Sequence, residues 1–162
     1  MAKITNEEEA LAAVREDDTT MILDVVPLNL RTAEVCREAV KKNNWALEYV
    51  PENLKTPELC LEAVRQNGCA LQYVPENQKT AELCFEAVKN DGMALEFVPP
   101  NLRTAEFCLE AVKNGGCALQ YVPENLKTQK LCLEAVKEDS FVLQFVPEPL
   151  RDEVRRSLKS RE

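Results

Sequence analysis

The sequence contains no histidine. That removes the commonest general base near neutral pH and the commonest imidazole ligand for transition metals. Only four glycines are present, Gly68, Gly92, Gly115 and Gly116, and all fall where helices should end. They form neither a G-x-G-x-x-G dinucleotide loop nor a G-x-x-x-x-G-K-[ST] phosphate loop. The three serines, Ser140, Ser157 and Ser160, stand in no nucleophile-elbow context, and no calcium-loop pattern occurs. No apolar run approaches the roughly 18–20 residues of a membrane span. The opening "MAKITNEEEALAAV" shows no secretory h-region. The expectation is therefore a protein that is not an enzyme, takes no cofactor or metal, and does not engage a membrane. The net charge of −8 would repel a phosphate backbone, so nucleic acid is excluded as the expected partner. Seven cysteines, an odd number with no Cys-x-x-Cys pair, fit a reduced, cytoplasmic protein better than a disulfide scaffold.

What the sequence has in abundance is itself. Val-Pro recurs with its proline at Pro27, Pro51, Pro75, Pro99, Pro123 and Pro147, the same spacing each time. Five full copies occupy 26–49, 50–73, 74–97, 98–121 and 122–145. Residues 1–25 read as a degenerate capping copy, with a loop expected around "DDTT". Residues 146–162 begin a further copy and diverge into a polar capping helix.

Within copy 50–73, Thr56 is a good helix N-cap and Pro57 suits the first helical position. Glu58 complements the helix dipole. Leu59, Cys60, Ala63 and Val64 share one face, which predicts a helix over roughly 57–66. Asn67-Gly68 predicts a left-handed stop. "CALQYV" gives a second helical element of one or two turns, ended by Pro75, and "PENLK" a turn or 3₁₀ connector. So short a unit cannot bury its own apolar face, but stacked units can. The fold class expected is all-α: a right-handed α-solenoid of 24-residue repeats, each a longer helix plus a short helix or 3₁₀ turn, capped at both ends. With helices about 8–10 Å apart, five copies span on the order of 50 Å.

The "EAVKxNGxAL" junction and the "L..Y..ENLK" connector, repeated in register over about 26–150, resemble the short helical repeats of domain of unknown function 4116, found mostly in bacteria. The alternation of longer and shorter helices is similar in outline to leucine-rich-variant repeats. The resemblance implies a repeat architecture and transfers no catalytic residue.

Positions that recur once in every copy form ladders. Cys36, Cys60, Cys84, Cys108 and Cys132 could serve metal or redox chemistry, but are expected to be small buried hydrophobes, too far apart for disulfides. Cys69 and Cys117 share a slot with Trp45, Met93 and Phe141 and are expected to pack there. Asn29, Asn53, Asn77, Asn101 and Asn125 are expected to bond local backbone in Asx-type turns; the alternative is a rail of amides gripping an extended peptide. Glu38, Glu62, Glu86, Glu110 and Glu134, each three residues before a basic side chain, read as a solvated face.

Two ladders are candidate partner-binding rows. Tyr49, Tyr73, Phe97 and Tyr121, continued by Phe145, lie at the edge of the second element, and tyrosine anchors interfaces well. Leu61, Phe85 and Leu109, continued by Leu133, lie at the margin of the first helix's apolar arc and would make an exposed docking stripe if packing left them uncovered. Residues 1–25 carry net −5 and residues 151–162 net +2, which would suit head-to-tail stacking, but two independent polar caps are the preferred reading. The expected function is a non-enzymatic scaffold that binds another protein or peptide, a basic one among the candidates, as a monomer. The alternative is a structural module that self-associates end to end or side by side.

Overall fold

The computed structural model describes residues 4–16 and 22–159. The loop expected around 17–20 lies outside the described residues. The described residues form eight α-helices: α1 (Glu7–Glu16), α2 (Ile22–Val25), α3 (Ala33–Lys42), α4 (Pro57–Gln66), α5 (Ala81–Asn90), α6 (Ala105–Asn114), α7 (Gln129–Glu138) and α8 (Glu148–Lys159). Between successive helices from α3 to α7 the chain makes two 3₁₀ segments, such as Gly68–Tyr73 and Glu76–Gln78 between α4 and α5. There is no strand among the described residues.

The chemistry of one copy explains the rest. The Thr56 hydroxyl accepts the N–H of Leu59 at 3.3 Å and starts α4. Thr32, Thr80, Thr104 and Thr128 cap α3, α5, α6 and α7 in the same way. Each cap is worth about 1 kcal/mol. α4 then turns Leu59, Cys60, Ala63 and Val64 inward, none more than 7% exposed. Its end differs from expectation. No residue among those described has a φ in the left-handed region, so there is no left-handed stop. Asn67 is extended instead (φ −153°, ψ 120°), and its side-chain oxygen accepts the N–H of Cys69 at 2.8 Å. The asparagine that closes one helix thus caps the 3₁₀ segment after it.

The glycine after it is needed for a different reason. A Cβ on Gly68 would stand 2.1 Å from the carbonyl oxygen of Ala87 in the next helix. Gly92 faces Ala111 O at 2.2 Å and Gly116 faces Ala135 O at 2.4 Å in the same sense. Close approach of neighbouring copies, not backbone angle, demands glycine here. Asn44 and Ser140 fill this slot in the first and last copies.

Helices α3 to α7 stack in chain order, and the six-residue 3₁₀ segments stack beside them as a second layer. Ala70 and Leu71, with their equivalents Ala94, Leu95, Ala118 and Leu119, are fully buried between the layers. Side chains also tie each copy to its neighbour. Gln66 donates to Val40 O at 2.9 Å, and Asn90 donates to Arg65 O at 3.0 Å while accepting from Gly68 N–H at 2.8 Å. α1 covers α3, and α8 covers α7. On α8, Arg155 and Arg156 are exposed where Leu131 and Cys132 are buried one copy earlier. The result is an all-α solenoid whose core runs unbroken from Ala10 to Val154.

Candidate functional site

The edge carrying the connectors is organised by a row of cations that sequence reading missed. Arg31, Lys55, Lys79, Arg103, Lys127 and Arg151 recur between the connector and the helix cap. The lysine side chains are only 6–7% exposed. Lys127 donates to Glu124 at 2.6 Å and to Phe145 O, at the far end of the same copy, at 3.2 Å. Arg103 reaches Val98 O, Tyr121 O and Glu96 O, all within 3.2 Å. Lys55, Lys79 and Lys127 occur where the connector offers Glu52, Glu76 or Glu124; Arg31 and Arg103 occur where it offers Leu28 or Pro100. A lysine needs the carboxylate to balance its buried charge, whereas guanidinium can spread its donors over several carbonyls. The signal was a basic residue at a fixed offset in every copy.

The aromatic ladder is half-buried against the core at Tyr49, Tyr73, Phe97, Tyr121 and Phe145. Its hydroxyls are engaged by the preceding copy. Tyr73 faces Glu48 and Tyr121 faces Glu96, each carboxylate raising the phenol pKa, and Tyr49 lies near Asp24. Burial, then the charge and hydrogen bond of Glu48, raise the phenol pKa of Tyr73. For Tyr121 the hydrogen bond it donates to Glu96 is the leading cause. Phe97 and Phe145 stand where the preceding copy carries Gln72 and Gln120. Tyrosine therefore appears wherever its partner position is acidic and phenylalanine wherever it is an amide. The ladder works largely as inter-repeat packing. Trp45 meets Tyr73 edge-on at 5.8 Å, which adds to that packing.

The cysteines follow the same rule of partnership. Cys36, Cys60, Cys84, Cys108 and Cys132 are fully buried, and no disulfide joins them. Burial pushes the thiols of Cys36, Cys60 and Cys84 up to about 11. Cys69 and Cys117 each lie 3.3 Å from a carboxylate of the next copy, Asp91 and Asp139. Burial first, then Asp91, pushes Cys69 up to about 12. Both thiols are held protonated and away from thiolate chemistry. Among the described residues no cluster of His, Cys, Asp and Glu could hold a metal ion.

The helix face is where the other predicted row lies. Leu61, Phe85, Leu109 and Leu133 are half-buried, and Phe85 meets Phe107 of α6 edge-on at 5.2 Å. Leu61 differs, because a groove of about 370 Å³ opens beside it between α4 and α5. Pro57, Leu61 and Leu83 supply apolar lining, and Asn77, Gln78 and Thr80 supply polar lining. Glu82 and Glu86 border the groove on α5 with Arg65 of α4, Glu58 and Glu62 lie on the adjoining surface of α4, and Lys89 lies on the adjoining surface beside Arg65 and Glu86. Gln78 takes the place of the leucine found at Leu30, Leu54, Leu102, Leu126 and Leu150. Its Nε2 donates to Lys55 O at 2.6 Å, while its buried Oε1 has no partner.

The asparagine ladder departs from expectation. Asn29, Asn53, Asn77, Asn101 and Asn125 are all exposed. No hydrogen bond joins any of these five amides to another described residue, so the Asx-type turns are absent. The connector closes without them, through backbone bonds such as Leu54 N–H to Pro51 O at 2.8 Å.

Fold and surface together define a helical-repeat protein: a stack of near-identical units, with a recurring set of side chains that clasp the adjoining unit. The chain belongs to the family described as domain of unknown function (DUF4116), matched by two consecutive stretches, 32–79 and 80–127. Each stretch begins at a helix-capping threonine and holds two of the 24-residue units. No curated protein and no solved structure matches the chain.

Proposed function

We propose that this protein is a non-enzymatic scaffold that binds another protein or peptide along its helix face. The observation that supports this reading best is the groove between α4 and α5. It combines an apolar floor at Leu61 and Leu83 with the carboxylates of Glu82 and Glu86 and the guanidinium of Arg65, and Glu58, Glu62 and Lys89 lie on the adjoining surface. Such a surface suits a partner that offers an apolar anchor flanked by basic residues. Of the two predicted rows, the helix-face row, Leu61 above all, is the better candidate, since the aromatic row is engaged by neighbouring copies. A reducing, cytoplasmic setting suits seven free thiols. No helix among the described residues is long and apolar enough to cross a membrane.

A second reading, self-association, draws support from Phe141, which is 83% exposed at the last 3₁₀ segment. Light scattering over a concentration range separates the two, because the scaffold should keep a constant monomer mass. A photo-crosslinking residue placed at Glu62, compared with one at Gln120, tests the face. Adducts with a partner from Glu62 alone support the scaffold reading. Adducts from Gln120 alone, or a mass that climbs with concentration, would overturn it.

A further inference from the structure

We infer that the array carries one built-in weak joint, between the first and second copies, at which α1, α2, α3 and the 3₁₀ segment after them open away from the rest as a single body. The inference goes beyond the scaffold reading and does not rest on it.

Asn44 marks the joint. It stands in the slot that Gly68, Gly92 and Gly116 fill at the next three steps. At those steps a Cβ would lie between 2.1 and 2.4 Å from a carbonyl oxygen of the following helix. Asn44 carries that Cβ, so α4 cannot approach the first copy as closely as α5 approaches the second. Accordingly, α3 touches α4 less than α4 touches α5 or α5 touches α6, and the 3₁₀ segments beside them follow the same order. The Asn44 side chain gains nothing in exchange. Its Nδ2 is buried without a hydrogen-bond partner among the described residues. A buried donor left unpaired favours any state that returns it to water.

The polar ties run the same way. Between the second and third copies, Asn90 donates to Arg65 O and accepts from Gly68 N–H, Gln78 donates to Lys55 O, and the Cys69 thiol meets Asp91. Between the first and second, Gln66 donates to Val40 O, and Tyr73 meets Trp45 and faces Glu48 at the surface. On its other side α3 is held firmly. Lys42 donates to Arg15 O at 2.7 Å, Thr32 donates to Glu7 at 2.5 Å, and α3 touches α1 more than it touches α4. Arg31 links Val26 O to Tyr49 O within the same body. Units that contact only their neighbours can part at one interface while the others hold. Opening here uncovers one face of α4 and leaves the groove between α4 and α5 in place.

Trp45 is the only tryptophan of the chain and meets Tyr73 across the joint, so its fluorescence reports the opening. In the native chain the urea transition seen by Trp45 should precede the one seen by far-ultraviolet circular dichroism. Hydrogen exchange without urea, resolved by peptide, separates a joint from ordinary end fraying. A joint gives α1 and α3 the same protection, lower than that of α5 and α6 by at least about tenfold. Fraying leaves α1 alone weakly protected and α3 in step with α4. Asn44→Gly removes the Cβ and the unpaired amide together. It should slow exchange in α1 and α3 by about 5- to 10-fold and bring the two urea transitions together. Ser140→Gly, the same slot in the last copy, where no further 3₁₀ segment follows among the described residues, should do neither. Coincident transitions in the native chain, weak protection confined to α1, an undiminished gap in Asn44→Gly, or a Ser140→Gly chain that behaves like Asn44→Gly would each overturn the joint. Crosslinking from Glu62 decides the scaffold reading separately.

Discussion

Gly68→Ala isolates the contact that sets how closely the units stack. The added methyl carbon would lie 2.1 Å from Ala87 O, far inside the 3.4 Å at which ordinary van der Waals contact begins, and 3.0 Å from the Asp91 Cβ. Both obstacles belong to the next copy, and the nearer is backbone, so no side-chain rotation relieves the overlap. Overpacking of this kind costs about 1–3 kcal/mol, and rigid backbone on both sides places Gly68→Ala at about 3 kcal/mol. At roughly 2–4 °C per kcal/mol for a chain of this size, the melting temperature should fall by about 6–12 °C. Gly115→Ala is the internal control. Gly115 is extended (φ 174°), and nothing lies within 4 Å of its Cβ position. Relief of unfolded-chain entropy should make that substitution neutral or stabilising by about 0.4–1 kcal/mol. Thermal and urea unfolding followed by far-ultraviolet circular dichroism measures both. If Gly68→Ala melts together with the native protein, or Gly115→Ala falls as far as Gly68→Ala, close stacking is not the reason for these glycines.

Gly115→Asn should go further than Gly115→Ala, restoring the cap that Asn67 gives Cys69 and adding about 0.5–1 kcal/mol by urea midpoint. Tyr121→Phe and Glu96→Gln should each destabilise by about 0.5–1 kcal/mol, and the double variant by less than their sum; strict additivity in that cycle would deny the pair. In alkali the sign follows from the thiols. Cys36, Cys60 and Cys84 hold their protons to about 11, whereas unfolded thiols ionise near 9. Stability is thus fully present below pH 9 and drains away between 9 and 11; a urea midpoint flat across that window would contradict it. In native protein at about pH 8, a thiol reagent should leave the five fully buried cysteines unmodified until denaturant is added.

Much of the architecture was legible because its signals are local. The even spacing of the copies, the threonine caps, the proline at the start of α4 and the inward face of Leu59, Cys60, Ala63 and Val64 can be read one copy at a time. What stayed hidden depends on two copies at once. Asn67-Gly68 reads locally as a left-handed stop, and only the carbonyl of Ala87 reveals why glycine stands there. Tyr73, Phe97 and Tyr121 read as a candidate partner-binding row. Their logic lies across rows, in Glu48, Gln72 and Glu96. The asparagines were assigned turn bonds that the connector backbone already supplies for itself.

The clasp between each aromatic and its partner position in the copy before gives the array a grammar of growth. From 50 to 121 the units alternate: one kind offers Gln72 or Gln120 and brings a tyrosine, the other offers Glu96 and brings a phenylalanine. Copying a single unit would set like beside like, leaving a carboxylate against a bare ring or a phenol without its anion. Copying two together restores every handshake, so descendants of this chain should lengthen or shorten by pairs of units more readily than by single ones.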